Sequence, residues 1–282
     1  MTLELGYREF KEIRDIVYQK CGIYINDEQL YITNLKLQER LKVLGIDDFR
    51  EYLKYLKFLD KDKSELNELI QSITINETYF FREFPQLQTF AEYCIPELIE
   101  NGNRTFKVLS AGCSNGAEPY TLAIILREML EDDFSYWVDA IDIDDNVLKQ
   151  AVRGVYQERD VRNVPSKYLE KYFFKDGNSY VLNSEIKRFV KFYKVNLMDT
   201  ERMLMLGQNY DFIFCRNVLI YFSDISKKDV IQTFYRMLVP GGFLFLSQVE
   251  SLARISTSFN TRRINNVVVY QKPTGMVMTD EL

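Results

Sequence analysis

The sequence of 282 residues contains no histidine. Histidine is the side chain most often used as a general base, as the activator of a serine or cysteine nucleophile and as a metal ligand. Ser-His-Asp, Cys-His and His-metal chemistries are therefore excluded. The cysteines, Cys21, Cys94, Cys113 and Cys215, stand far apart with no C-x-x-C spacing, which argues against a zinc site and against a disulfide framework. No stretch approaches the ~18 uninterrupted apolar residues of a membrane span, and no early apolar run follows a basic start. The expectation is a reduced, cytoplasmic protein with no direct membrane insertion. Positive charge is not in excess either. With 36 Lys+Arg against 41 Asp+Glu the net charge is -5, so no overall basic field exists to hold a polyanion and nucleic acid is not an expected partner.

What the chain has in quantity is apolar and aromatic. Hydrophobic residues make up 46%, with 20 Phe and 19 Tyr, a composition that folds rather than stays disordered. The length suits two domains or one large one. Over the first ~70 residues apolar positions recur at helical spacing: Phe10, Ile13, Ile16 and Val17, then Leu37, Leu41 and Val43, then Phe49, Leu53 and Leu56. Gly22 and Gly45 fall where two such helices would stop, and Asp47 sits where the next could be capped. The reading is a small all-α N-terminal domain with its connector over residues 1–75. Lys36, Arg40 and Lys42 form a basic stretch on one of these helices, read either as a solvated face or as a docking face.

From about residue 105 buried apolar runs alternate with helical segments, the pattern of a parallel sheet with crossover helices. Strands are expected at 106–113, 137–143, 210–217, 241–248 and 267–272. Between them, about residues 155–198 form an insert in which Tyr180–Leu182 and Phe189–Tyr193 are expected to make a small antiparallel ribbon around Asp176-Gly177-Asn178. The fold class is thus α/β, a Rossmann-like domain over residues 76–282 with a small antiparallel β-subdomain insert, preceded by the helical domain.

The first expected strand ends in Ala111-Gly112-Cys113-Ser114-Asn115-Gly116-Ala117-Glu118-Pro119, where two glycines let the backbone turn sharply into a helix. The second ends at Asp142, a carboxylate placed to accept hydrogen bonds from both hydroxyls of a ribose. A dinucleotide site wants G-x-G-x-x-G to carry a pyrophosphate. Here the loop reads G-x-x-x-G, followed by Glu118, an acid that repels pyrophosphate and attracts an ammonium group. A ligand that joins a ribose to an amino-acid ammonium is S-adenosylmethionine, and that is the expected cofactor, with S-adenosylhomocysteine as product and no metal.

Five segments carry a resemblance that spans nearly the whole chain: Thr74 to Glu83 (TINETYFFRE), Ser110 to Tyr120 (SAGCSNGAEPY), Asp142-Ile143-Asp144, Val195-Asn196-Leu197 and Cys215 to Phe222 (CRNVLIYF). The sequence resembles the CheR-type chemotaxis receptor methyltransferases. The resemblance implies methyl transfer from S-adenosylmethionine to receptor glutamates, forming glutamyl methyl esters for sensory adaptation. The implied partner is the cytoplasmic helical region of chemotaxis receptors. Cofactor contacts are implied for Asn76, Thr78, Arg82, Ala111, Glu118, Asp142, Asn196, Leu197, Arg216 and Asn217, with Arg82 and Tyr221 nearest the transferred methyl. One departure is visible: the family usually has Thr-Gly-Glu-Glu-Pro where this chain has Asn115-Gly116-Ala117-Glu118-Pro119, which keeps the second acid and loses the first. Some family members tether a receptor's C-terminal peptide through a glycine-rich loop of the β-subdomain. This insert offers only Gly177, so no such tether is expected.

The missing histidine agrees with this chemistry. A substrate glutamate with a pKa of about 4.3 is ionised at neutral pH and needs no base to become a nucleophile. Tyr79, Phe80 and Phe81 beside Arg82 read as packing, Asp144 reads as a helix cap, and Cys113 and Cys215 read as small buried residues. Two other functions remain open from sequence: a methyltransferase acting on another protein or on nucleic acid, and a non-catalytic module that binds the cofactor as a sensor or scaffold.

Overall fold

The computed structural model describes residues 4–73 and 77–275. The chain divides into two compact units, one of residues 1–77 with 221–226, the other of residues 78–220 with 227–282.

The first unit is helical. Helix α1 (Tyr7–Cys21) buries Phe10, Ile13, Val17 and Cys21 along one stripe and stops where Gly22 takes the left-handed conformation, φ 75°. Helix α2 (Leu30–Leu44) buries Thr33, Leu37 and Leu41 and stops at Gly45, φ 65°. Val43, expected inside with them, is exposed. Helix α3 (Phe49–Lys54) is capped by Asp48, whose side chain accepts the Arg50 N–H, rather than by Asp47. The cap falls one residue later, at Asp48, whose extended backbone (φ -145°, ψ 136°) aims its carboxylate at the first turn. Helix α4 (Ser64–Ile73) buries Leu66, Leu69, Ile70 and Glu65.

The buried acid draws Arg40 of the basic stretch on α2 out of solvent, while Lys42 stays exposed. Arg40 turns inward and donates from Nε and Nη2 to the two oxygens of Glu65, at 3.1 and 2.6 Å, while the buried Tyr52 hydroxyl donates to Oε1 at 2.7 Å. Lys36 donates to the carbonyl of Ile73. Segment 221–226 closes this unit: Tyr24 donates to the Tyr221 carbonyl at 2.7 Å, Ile23 and Phe222 form an isolated bridge, and the hydroxyls of Tyr18 and Ser223 lie 3.1 Å apart.

The second unit begins with two short helices, α5 (Phe84–Thr89) and α6 (Ile95–Glu100). Then come β1 (Thr105–Ala111), α7 (Ala117–Met129), β2 (Ser135–Asp142) and α8 (Asp145–Arg153). An inserted stretch holds β3 (Val155–Gln157), α9 (Glu158–Val161), α10 (Ser166–Tyr172), β4 (Phe173–Asp176), β5 (Ser179–Leu182) and α11 (Ser184–Lys187). The chain continues through β6 (Val190–Lys194), α12 (Thr200–Leu206), β7 (Tyr210–Cys215), α13 (Asp224–Met237), β8 (Leu238–Leu246), β9 (Asn260–Ile264) and β10 (Val267–Gln271).

The main sheet has the order β6-β2-β1-β7-β8-β10-β9. Its first five strands are parallel, and β10 runs antiparallel to both neighbours. Strands that lie inside a parallel sheet are covered on both faces, which is why Tyr210–Cys215 is buried at every position. The Phe90 ring packs edge-on against Phe212 and Phe214 at 4.8 and 5.1 Å.

Two expectations need correction. The small sheet is β3-β5-β4, a hairpin turning at Gly177-Asn178 plus one short strand. Residues 190–194 do not join it. They form the outer parallel strand of the main sheet, in register with β2 from Val138↔Val190 to Asp142↔Lys194. An edge strand is only partly covered, so β6 carries the exposed Lys191 and Lys194 and lacks the continuous apolar run of an interior parallel strand. The other edge strand, β9, lacks the apolar pattern of a strand because Asn260–Ile264 is mostly polar. Its signal was the Asn265-Asn266 pair, both at positive φ, which makes the tight hairpin turn into β10. Among the described residues no helix is long and apolar enough to cross a membrane.

Candidate functional site

The chain leaves β1 toward β2 on one side, and β7 later takes the other side of β1. Such a switch in strand order leaves a crevice at the carboxyl ends of the strands. Four loops converge there, following β1, β2, β6 and β7.

The loop after β1 is pulled across the end of β2. The N–H groups of Gly112 and Cys113 both donate to the Ile141 carbonyl, at 2.8 and 2.9 Å. Gly112 has φ +82°, and a Cβ there would collide with a methyl group of Val218. Gly116 has φ +88°, and a Cβ there would stand 2.8 Å from that of Ala151. Both glycines are required by backbone conformation and by space together.

Asp142 ties two loops together. Its Oδ2 accepts the Ser114 N–H at 2.8 Å and its Oδ1 accepts the Asp144 N–H at 3.0 Å. Burial pushes its pKa up to about 6 against the opposing pull of those two bonds. A carboxylate has about four acceptor positions, so it can still receive ribose hydroxyls. Asp144 caps α8 by accepting the Asn146 N–H at 2.7 Å. Its other oxygen is buried without a partner.

Glu118 is not a bare acid. Arg216, which directly follows β7, donates from Nε to its Oε2 at 2.7 Å, and the Ser110 hydroxyl donates to its Oε1 at 2.7 Å. The Arg216 side chain is 3% exposed and that of Glu118 13%. Arg216 Nη1 also donates to the Arg82 carbonyl at 2.9 Å and reaches Gln86 Oε1 at 3.5 Å. The acid read from sequence as an ammonium acceptor is therefore already paired with a guanidinium 98 residues away. Gln86, whose amide also donates to the Leu246 carbonyl at 2.6 Å, carried no signal in the sequence.

Asn217 has φ 60°, and its amide donates to Glu83 Oε1 at 3.3 Å. Its backbone N–H donates to Glu250 at 3.1 Å. After β6, Asn196 Oδ1 accepts the Met198 N–H at 3.0 Å, and the Val195 N–H donates to the Asp142 carbonyl at 3.0 Å, which docks this loop on the second. Leu197 and Ala111 are buried.

Arg82 lies between Phe81 and Glu83, at φ 57° and 55°, with its guanidinium 5.8 Å from the Tyr79 ring centroid. Phe80 packs edge-on against Tyr156 and Phe173, at 4.7 and 5.0 Å, as a core residue should. Thr78 is half-buried at the start of this unit. Cys113 and Cys215 are buried, and burial pushes both thiols well above their ordinary pKa. Asn76 lies outside the described residues. Tyr221 falls in the first compact unit, whereas Arg82 falls in the second.

The donor set suits S-adenosylmethionine: acceptors at Asp142 and Glu118 for hydroxyls and an ammonium, a cation at Arg82 for a carboxylate, and a loop without Cβ atoms at its two glycines. Among the described residues no group of three or more Cys, Asp or Glu is arranged to hold a metal ion.

Comparison with known proteins agrees with this geometry. Residues 76–268 match the family described as CheR methyltransferase, SAM binding domain, and residues 8–74 match CheR methyltransferase, all-alpha domain. The chain is 36% identical to chemotaxis protein methyltransferase 2 of Vibrio cholerae, covering 94% of this chain and 93% of that one. It is 32% identical to the chemotaxis protein methyltransferase of Salmonella typhimurium, covering 92% and 89%. The Escherichia coli protein of that name is 30% identical, covering 92% and 90%.

Proposed function

Because this chain belongs to the CheR methyltransferase family and is an S-adenosylmethionine-dependent methyltransferase of the class I fold, we propose that it methylates glutamate side chains of chemotaxis receptors in the cytoplasm. The observation that carries the reading is the stitched cluster at the carboxyl ends of the central strands, with Asp142 joining two loops and Arg216 neutralising Glu118.

S-adenosylmethionine supplies the methyl group as a sulfonium, an electrophile that needs no metal or acid to activate it. The residues of this chain bind and orient. Asp142 receives the ribose hydroxyls, and Glu118 receives the ammonium while Arg216 holds its carboxylate in place. Asn196, Leu197 and Asn217 line the rest of the cofactor's bed, with contributions from Ala111 and Thr78. Arg82 neutralises a carboxylate, and Tyr221 orients the reacting group. No side chain removes a proton, because the glutamate is already ionised at neutral pH. Holding two reactants in line contributes up to about 7–11 kcal/mol without any acid–base group. The small β3-β5-β4 sheet works without a receptor-peptide tether; measurable binding of an isolated receptor C-terminal peptide to residues 155–198 overturns that part.

The test is transfer of radiolabelled methyl from S-adenosylmethionine to receptor-containing membranes, followed by mild base. Label released as methanol supports glutamyl ester formation. Base-stable label points to N-methylation, and cofactor binding without transfer points to a sensor or scaffold; either refutes the proposal.

A further inference from the structure

Glu250 has no place in the cofactor set, yet its carboxylate ties the site loop after β7 to the loop after β8. Its Oε2 accepts the Ser247 N–H at 2.9 Å, the Ser247 hydroxyl at 2.7 Å and the Asn217 N–H at 3.1 Å, while its Oε1 accepts the Ile220 N–H at 3.1 Å. Ser247 follows β8, and Asn217 and Ile220 follow β7. Neighbouring parallel strands thus have their outgoing loops bolted together by one side chain.

We propose that Glu250 is a positioning residue for cofactor binding, acting through Arg216 and Asn217. The inference rests on the methyltransferase reading above. Asn217 sits in the left-handed region, which asparagine adopts more readily than other non-glycine residues but still as a minority conformation that its bonds here hold in place. The restraints here are the Glu250 bond to its N–H and the Glu83 bond to its side chain. Without Glu250 the 217–220 segment loses both anchored amides. Asn217 then relaxes toward ordinary backbone angles and carries the adjoining Arg216 off its bonds to Glu118 and the Arg82 carbonyl. Glutamine is a graded substitute. Its oxygen keeps the three donors now on Oε2, but its NH2 then faces the Ile220 N–H, donor against donor. The contrasting possibility is that Glu250 only closes its own turn with Ser247.

The experiment uses the full chain with S-adenosylmethionine as the calorimetric ligand, together with hydrogen exchange of single amides. Glu250→Ala is expected to raise Kd at least tenfold and to lower protection of the Asn217 and Ile220 amides. Glu250→Gln is expected to restore part of the affinity and the Asn217 protection but not that of Ile220. Ser247→Ala, which removes only the hydroxyl bond, is expected to bind within twofold of wild type. Unchanged cofactor affinity in Glu250→Ala, or in Glu250→Gln should the alanine variant not fold, overturns the proposal. So does an affinity loss in Ser247→Ala equal to that in Glu250→Ala. Failure of the wild-type chain to bind S-adenosylmethionine would instead refute the underlying reading, and the two failures are distinguished by that control.

Discussion

Replacing Arg216 by methionine tests the site at its electrostatic centre. The substitution keeps an unbranched apolar stem and removes the guanidinium, so Glu118, the Arg82 carbonyl and Gln86 all lose a donor. Both charged side chains are largely out of water, at 3% and 13% exposure, so solvent cannot replace what is lost. Removing one partner of a buried pair costs about 3–5 kcal/mol, mostly because the other charge is left unpaired. Glu118→Gln alone keeps an amide oxygen that can still accept from the Arg216 guanidinium and loses only the charge of the acceptor, so it costs less, about 1.5–3 kcal/mol. In the double variant no stranded carboxylate remains, so its cost should fall short of the sum by about 2 kcal/mol. The assay is urea unfolding without cofactor, followed by tryptophan fluorescence. The sole tryptophan, Trp137, lies in β2 and therefore reports the second unit alone. An Arg216→Met variant within 1 kcal/mol of wild type, or an additive double variant, would refute the argument that this pair is buried and coupled.

Three further outcomes are expected. Cofactor affinity, measured by calorimetry, should tighten as pH rises through about 6, because burial lifts the Asp142 pKa to that value and its ionised form is the better acceptor. Asp142→Asn should bind one to two decades more weakly, from about 1.5–3 kcal/mol of charged hydrogen bonding, and its affinity should be flat across that window. The raised pKa also means that the folded chain keeps a proton the unfolded chain releases. The stability contributed by Asp142 is therefore full below pH 3.8 and lost as pH rises through about 6. Gly45→Ala, with φ +65° and open space around it, should cost only the backbone strain of about 1–2 kcal/mol. Gly112→Ala should cost more, and Val218→Ala should recover part of the excess, as read by calorimetric unfolding. In the helical unit Tyr52→Phe should lower stability by about 1.5–3 kcal/mol, since it removes a buried bond to the Glu65 carboxylate. A change under 0.5 kcal/mol would show that Arg40 alone satisfies that acid.

Much of this architecture is legible locally. Helix stripes and their glycine stops in the first unit follow from side-chain spacing and from the conformations that only glycine adopts cheaply. The turn after β1 is legible for the same reason, since Gly112 and Gly116 carry both the positive φ and the missing Cβ. The end-of-strand acid Asp142 is found by position alone. Edges were harder: β6 and β9 have one solvated side, and their polar residues hide the strand pattern. Glu250 had a faint signal in its Ser-x-x-Glu spacing from Ser247, the pattern of a side chain that reaches back to a nearby N–H.

The sequence by itself thus determined most element types, the turn after β1 and the class of ligand, because each is read from short stretches of chain whose residue types are fixed by local geometry and chemistry. Tertiary structure alone decided which charges meet. Arg40 turns from the surface onto Glu65, and Arg216 crosses to Glu118. Asn217 is held in its left-handed conformation by Glu83 and Glu250. Composition cannot assign such pairings, since any of 36 cationic side chains could neutralise any of 41 acids. Strand order and burial choose among them, by bringing the loops after β1, β7 and β8 to one end of the sheet where an unpaired charge would be costly.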